Sequence, residues 1–245
     1  MKIHIEPLLI EAVPDIKVAI IHYNRTTVSD SPQMLKGRLQ LFQEQLFFEL
    51  EEHALSDIDG IQEWRSIWKT LGSDPARYRP SVEALYRRVR KQNYIESHSS
   101  AIDLNTLFSL QYGVPSGMYD FQKLVGDLRI TKGQEEDGYD GLNGRFTSLK
   151  NILILKDQYS PFGSPYVDSV RTAITEETSD VLHIVFLRPQ MDAEEAQRLA
   201  DACGNMFTSI NGGDASTYVL HAGNPSVELP HVSTSQNLYG SNSTF

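Results

Sequence analysis

RYRPSVEALYRRVRK, residues 77–91, is the stretch of this sequence that decides its fold. Pro80 disfavours helix in the residue before it, and Ser81 is a residue type that caps helix N-termini, so a helix is expected to begin here. Apolar side chains then recur on one face at Val82, Leu85, Tyr86 and Val89. The cations Arg87, Arg88, Arg90 and Lys91 fall on the other side. The pattern predicts an amphipathic helix with a strongly basic face.

The basic face contrasts with the rest of an acidic chain. The 245 residues carry 22 Lys and Arg against 32 Asp and Glu, a formal net charge of −10. Residues 64–91 nevertheless contain eight basic and only two acidic side chains. Such a patch indicates either a polyanionic partner or a solvated helix face whose charges are matched by acids nearby, for which Glu49, Glu51 and Glu52 are candidates.

The composition, with 40% hydrophobic and 22% charged residues, is typical of a globular protein that folds without disulfide bonds or a structural metal ion. The single cysteine, Cys203, is interpreted as a small buried hydrophobe, with a nucleophile as the alternative. The N-terminal segment has no uninterrupted apolar core, and no run approaches the roughly 18 apolar residues of a membrane span. We therefore expect a cytoplasmic protein with no membrane partner; the sequence leaves the oligomeric state open.

Strands and helices follow one another without a regular period. Residues 16–24, 151–157 and 181–189 are β-rich and predict buried strands, whereas 34–55, 61–71 and 100–112 have helical periodicity. The Gly-rich and acidic segment 129–149 predicts loops or hairpin turns. This irregular order favours an α+β domain over residues 1–224. The polar residues 225–245 predict a mobile tail.

Motifs for metals and cofactors are absent from the sequence. No phosphate-binding loop or dinucleotide fingerprint follows a strand, and the seven His are scattered without zinc-site spacing, so we expect no cofactor and no metal. His183 lies in an apolar strand and is interpreted as a packed, hydrogen-bonded residue. His98 precedes a predicted helix among hydroxyl side chains, which suits either a site residue or a surface loop residue. Asp103 has either a pocket role or a capping role after Ser100.

From residue 64 to 188 the motifs resemble the B3/B4 domain family in order. The specific parts are RPSVEALYRR at 79–88 and PSGMYD at 115–120; supporting parts are WR at 64–65, LG at 71–72, ID at 102–103, SL at 109–110, GD at 126–127 and DSVRT at 168–172. That family is the tRNA-binding and editing domain of the bacterial phenylalanyl-tRNA synthetase β subunit, which also occurs as free-standing proteins. The resemblance implies a single α+β domain, with a mixed sheet and flanking helices around an internal pocket.

The resemblance also implies a site. Its partner would be the aminoacyl 3′ end of tRNA, with a small amino acid as a possible ligand, and its reaction the hydrolysis of a mischarged ester without synthetase activity. Asp103 or His98 would orient the water, while Ser116 and Gly117 would donate hydrogen bonds to the oxyanion. Substrate-binding residues would be Asn105, Ser109, Tyr119, Asp120, Asp168, Ser169 and Thr172. Phosphate contacts would come from Arg79, Arg87, Arg88, Arg90 and Lys91.

Two functions stay open at this point. The first is a trans-acting editing hydrolase, and the second is a tRNA or small-ligand binding module that keeps the fold without turnover. The sequence departs from the family pattern at Asn105, which follows Asp103 by two residues rather than three, and at Gly117, where the synthetase has His. Within the basic segment we expect Arg79 to be structural, and Arg87, Arg88 and Lys91 to be exposed.

Overall fold

The computed structural model describes residues 1–230. Its α-helices are α1 (Pro7–Ala12), α2 (Gln33–Glu52), α3 (Asp59–Leu71), α4 (Ser81–Arg90), α5 (Ser100–Tyr112) and α6 (Ala193–Asn211). Its strands are β1 (Lys2–Ile5), β2 (Lys17–Asn24), β3 (Ser116–Asp120), β4 (Leu128–Lys132), β5 (Gly138–Asp140), β6 (Phe146–Ser148), β7 (Leu153–Lys156), β8 (Pro161–Gly163), β9 (Val181–Phe186), β10 (Asp214–His221) and β11 (Ser226–Glu228). Three short 3₁₀ turns cover Leu55–Asp57, Phe121–Lys123 and Val170–Thr172.

The strands form two main sheets. The first has the order β11-β1-β4-β7-β8, and its β1–β4 pair is parallel while the other pairs are antiparallel. The second, with the order β10-β2-β9-β3, is antiparallel throughout. Strands β5 and β6 form a separate hairpin. The predicted α+β domain with a mixed sheet is therefore confirmed.

The second sheet lies in the middle of the molecule. Alternate residues of β2 point to opposite faces, so Ala19 and Ile21 pack with the helices α2, α4, α5 and α6. Val18 and Ile20 pack with the first sheet and with α3. Because both faces are covered, β2 reads as a continuous apolar run rather than an alternating one.

Several elements differ from the sequence prediction at their ends. Pro80, not Ser81, precedes α4, and it makes no side-chain cap. Ser99, not Ser100, caps α5 by accepting a hydrogen bond from the Ile102 N–H. In the segment 129–149, predicted as loops or hairpin turns, β5 and β6 form a hairpin, whereas residues 129–132 belong to the strand β4 of the first sheet. Caps and short strands are fixed by tertiary contacts that local pattern does not record.

The predicted mobile tail is wrong over residues 226–228, which pair with β1 as the strand β11, with Val227 opposite Ile3. The Ile5 N–H also donates to the carbonyl of Pro225. The remainder of the predicted tail, from residue 231, lies outside the described residues. Over the described chain, no helix is long and apolar enough to cross a membrane.

Two predicted interior residues lie where the sequence placed them. Cys203 is fully buried, and burial raises the pKa of its thiol. His183 is also fully buried, and the Tyr23 hydroxyl lies 3.1 Å from its Nδ1. Both side chains are core residues, as expected from their positions in α6 and β9.

Candidate functional site

Strand β3 carries the PSGMYD motif and forms one edge of the second sheet. Its side chains alternate between the two faces, so Ser116 is directed towards α5, whereas Gly117 and Tyr119 are directed towards the first sheet. Ser116 and Met118 are partly exposed at this edge. The edge strand therefore presents two different sets of polar groups, one on each side.

On the α5 side, three of the predicted site residues form one hydrogen-bonded cluster. The Ser116 hydroxyl donates to Asn105 Oδ1 at 2.7 Å and lies 2.6 Å from the Ser109 hydroxyl. The Asn105 amide nitrogen lies 3.4 Å from the carbonyl oxygen of Ser116. Asn105 and Ser109 are four residues apart in α5, so they project from the same helix face.

On the opposite side, Tyr119 and Asp168 are brought together from positions 49 residues apart in sequence. The Tyr119 hydroxyl donates to Asp168 Oδ1 at 2.7 Å, and the Ser164 N–H reaches the same oxygen at 3.2 Å. Within residues 1–230, Asp168 Oδ2 has no hydrogen-bond partner. Burial raises the pKa of Asp168 to about 7, although the hydrogen bonds from Tyr119 and Ser164 favour the ionised form.

Two glycines make room for this pair. A Cβ on Gly117 would lie 2.2 Å from the Tyr119 hydroxyl oxygen and 2.7 Å from Asp168 Oδ2. A Cβ on Gly163 would lie 2.3 Å from the same hydroxyl oxygen. Because neither distance admits a carbon atom, both positions require glycine for the tyrosine to lie between the two strands.

The backbone of β3 corrects the role expected for Gly117. The Phe186 N–H donates to the carbonyl of Pro115, and hydrogen bonding alternates along an antiparallel pair. The amide of Gly117, opposite Ile184, is therefore directed into the sheet and is not available to an oxyanion. The amides of Ser116 and Met118 are directed to the open edge instead.

The structure also corrects the expectation for Asp103. This carboxylate is 1% exposed and accepts three hydrogen bonds, from the Ser31 hydroxyl at 2.5 Å, from the His98 N–H at 2.8 Å and from the Ser97 hydroxyl. It therefore fixes the loop before α5, and it is not placed to orient a water for catalysis. The His98 side chain is exposed beside it.

Of the other predicted pocket residues, Asp120 and Ser169 are engaged by the protein itself. Asp120 is buried, caps the turn at Gln122 and accepts a hydrogen bond from the Thr178 hydroxyl. The Ser169 hydroxyl caps the turn at Arg171. Thr172 is fully buried, and its hydroxyl has no partner within the described residues. Asp120, the last residue of β3, and Ser169 thus stabilise the turns that follow them in the chain.

The basic helix is organised around one acid that was not among the predicted site residues. Glu83 is fully buried, and its carboxylate receives two hydrogen bonds from Arg65, at 2.7 and 2.8 Å, and one from Arg87, at 2.8 Å. Arg79 lies 4.0 Å away. Arg87 is exposed, as expected, but its side chain also holds the buried carboxylate of Glu83, so it shares the structural role expected for Arg79. Its spacing of four residues from Glu83 was the available signal.

The remaining cations of α4 are exposed at its C-terminal end. The Arg88 side chain donates to the carbonyl of Tyr94 at 3.3 Å. Arg90 and Lys91 make no salt bridge within residues 1–230. From here the chain runs directly to the loop that Asp103 fixes and to the start of α5. The cations without a salt-bridge partner among residues 1–230 therefore lie just before the loop that leads into α5.

The expectation that this site holds no metal stays a prediction. Within the part of the chain that the structure describes, no three His, Cys, Asp or Glu side chains are grouped as metal ligands.

Two residues that shape the site, Ser31 and Gly163, could not be found from the sequence. Ser31 contacts a residue 72 positions away, and no local pattern marks such a contact.

The fold and the site define an α+β domain with polar clusters on both sides of an edge strand. Residues 63–204 match the model of the B3/4 domain, and the chain belongs to this family. It is 32% identical over 222 residues to a protein of Bacillus subtilis (strain 168) described as uncharacterized protein YhzB, covering 90% of this chain and 99% of that protein.

Among solved structures, the chain is similar to an N-terminal fragment of the phenylalanyl-tRNA synthetase β-subunit from Pyrococcus horikoshii. The identity is 14% and the TM-score 0.44, and the match covers 87% of this chain. This chain spans about half (49%) of the length of that fragment.

Proposed function

We propose that this protein binds the aminoacyl end of tRNA at the open edge of β3 and hydrolyses a mischarged aminoacyl ester. Membership of the B3/4 family supports a tRNA-related role. The observation that carries the proposal is the pairing of Asp168 with Tyr119 beside Gly117, because it places a carboxyl group with a pKa of about 7 next to the edge strand.

The pKa of Asp168 suits it to general base catalysis near neutral pH. In the proposed step, a water attacks the ester carbonyl and passes a proton to Asp168 Oδ2. The bond between the carbonyl carbon and the ribose oxygen then breaks, and that oxygen takes up the proton held by Asp168. The products are the free amino acid and a tRNA with a free terminal hydroxyl, and Asp168 is again ionised. An edge N–H, of Ser116 or Met118, donates to the developing oxyanion. The two amides are about 7 Å apart, so only one of them serves that oxygen.

The cluster on the other side of β3 has a positioning role in this proposal. Asn105 and Ser109 hold the Ser116 hydroxyl, and Asn105 also approaches the backbone carbonyl of Ser116. These contacts fix the edge strand against α5. Arg88, Arg90 and Lys91 then bind tRNA phosphates, and the acidic remainder of the chain makes this binding weak and salt-sensitive.

A binding module without turnover is the second candidate. It is favoured by the engagement of Asp103, whose carboxylate has three protein donors, and of the Gly117 amide, which is directed into the sheet. If hydrolysis requires a free Asp103 carboxylate and a free Gly117 N–H, the protein cannot catalyse it, because both groups already have partners. The protein would then bind the aminoacyl end of tRNA and release it unchanged.

The experiment that tests the proposal measures deacylation and binding in parallel. Purified protein is mixed with tyrosine mischarged onto phenylalanine tRNA, and with a panel of other aminoacyl-tRNAs, at low salt. We expect Asp168→Asn to reduce the rate by about 100-fold or more with affinity retained, as for the loss of a general base. Ser209→Ala, an exposed serine near the end of α6, is the control and retains full activity.

The pH dependence gives a second readout. We expect the wild-type rate to rise with pH around a midpoint of about 7, as Asp168 ionises, and the dependence to disappear in Asp168→Asn. Binding without hydrolysis of any substrate supports the second candidate. If the protein neither binds nor hydrolyses any of these aminoacyl-tRNAs, both candidate functions are overturned.

A further inference from the structure

Helix α2 carries a stripe of exposed apolar side chains on its outer face. Met34, Leu41 and Phe48 are 73%, 66% and 65% exposed, and each follows the previous one by seven residues. Seven residues make almost two helical turns, so the three side chains lie in one line along the helix. We call them the α2 stripe.

The inner face of α2 is already covered. Leu35, Leu39, Leu46 and Leu50 are buried in the core against α4 and α5. Helix α2 is therefore apolar on two opposite sides, and its own domain covers only one of them. A large apolar side chain in water gains no stability from its position. Three such side chains on one helix face, about 10 Å from one to the next, are typical of a helix that packs against a partner.

The charges of α2 identify the partner. Its first half, residues 33–42, contains Lys36 and Arg38 and no acid, whereas its second half, residues 43–52, contains four glutamates and no base. This order is the reverse of the one that stabilises a single helix, because the helix dipole favours acids at the N-terminus and bases at the C-terminus. The distribution is instead self-complementary for two antiparallel copies.

We propose that the protein forms a two-fold symmetric dimer through antiparallel packing of α2 against α2 of a second copy. The two-fold axis passes next to Leu41, so Leu41 meets Leu41 of the second copy. Met34 meets Phe48 of the second copy, and Arg38 lies alongside its acidic half. No heavy atom lies within 4 Å of the position that a Cβ would take on Gly37, which allows close approach beside the stripe. The dimer shares no residue with the candidate functional site.

The first test measures mass in solution by light scattering or sedimentation over a range of protein concentrations. The wild type is expected to form a dimer, and Leu41→Asp to raise the dissociation constant by about tenfold or more. Leu8→Asp is the matched control: Leu8 is 75% exposed in α1, outside the stripe, and its substitution leaves the dimer intact.

A charge exchange tests the antiparallel arrangement. Arg38→Glu places a negative charge opposite Glu44 of the second copy and weakens the dimer, whereas Arg38→Glu combined with Glu44→Arg restores it. A protein that is monomeric at about 100 µM, or a dimer that Leu41→Asp leaves unchanged, overturns the proposal.

Cross-linking tests the register, and the chain offers a clean background because its single cysteine is buried. Leu41→Cys forms a disulfide between two copies. Met34→Cys does not cross-link to itself, since in the antiparallel pair the two positions are about 21 Å apart along the helices, but it cross-links to Phe48→Cys in a mixture. Self-cross-linking of Met34→Cys indicates parallel helices and contradicts the proposed register.

Discussion

Gly117 shows how a residue without a side chain determines the site. The Tyr119 hydroxyl occupies the space where a Cβ of Gly117 would lie, and the same hydroxyl holds Asp168. The position contributes through the volume it leaves empty and not through its amide. The pairing of Asp168 with Tyr119 depends on it.

We expect Gly117→Ala to lower the free energy of unfolding by about 1–3 kcal/mol, because the methyl group displaces a buried tyrosine and separates it from its carboxylate. Urea unfolding of dilute protein measures this change. Gly37→Ala is the matched control. It lies in the middle of α2 with no atom within 4 Å of its Cβ position, so alanine stabilises it by about 0.5–1 kcal/mol. Equal effects of the two substitutions contradict the packing assigned to Gly117.

At the scale of elements, hydrophobic periodicity predicts the long helices and the central strands. The stripe at Val82, Tyr86 and Val89 is buried as the pattern of α4 requires. Periodicity does not predict β11, because a three-residue strand depends on the neighbouring strand β1 for its hydrogen bonds. Nor does it predict that Glu83 is buried in the basic segment. Its burial is possible because Arg65 and Arg87 satisfy its carboxylate.

The arrangement of α4 divides its cations into two groups with different expected effects on RNA affinity. Arg90→Glu combined with Lys91→Glu replaces two exposed positive charges with negative ones and is expected to weaken tRNA binding at low salt by about tenfold or more. The slope of log affinity against log salt should fall by about one for each phosphate that the variant no longer binds. Filter binding over a salt series measures both.

Lys2→Glu combined with Arg145→Glu is the control for this prediction. Both residues are exposed and lie outside the basic helix. Their substitution changes the net charge of the protein by the same amount as the substitution of Arg90 and Lys91. We expect this variant to bind tRNA almost as well as the wild type. If the two double variants lose affinity equally, the effect comes from net charge alone, and α4 makes no specific contact.

At the scale of the whole molecule, the two sheets bring together residues that are far apart in sequence. Asp103 meets Ser31 across 72 positions, and Tyr119 meets Asp168 across 49. The resemblance of short motifs indicated Asp103, Tyr119 and Asp168 as site residues, but not which of them pair. That Asp103 anchors a loop while Asp168 has the perturbed pKa follows only from the three-dimensional arrangement.

We expect two buried histidines of the central sheet to make the folded state sensitive to acid. His183 and His22 are buried in adjacent strands, and burial lowers the pKa of both, that of His183 to about 3. Because the folded state disfavours protonation of His183 and the unfolded state titrates near 6.5, stability from this residue is complete above pH 6.5 and is lost as the pH falls towards 3.

The loss amounts to about 1.4 kcal/mol for each pH unit below 6.5, so the wild type should lose about 2 kcal/mol from this residue between pH 7 and pH 5. His183→Gln is less stable at pH 7, because it loses the packing and the hydrogen bond with Tyr23, but it lacks this pH-dependent loss. Urea unfolding at a series of pH values measures the difference. His53→Gln, an exposed position, should retain the wild-type slope. If His183→Gln also retains it, protonation of His183 does not drive acid unfolding, and His22 or the carboxylates account for the slope.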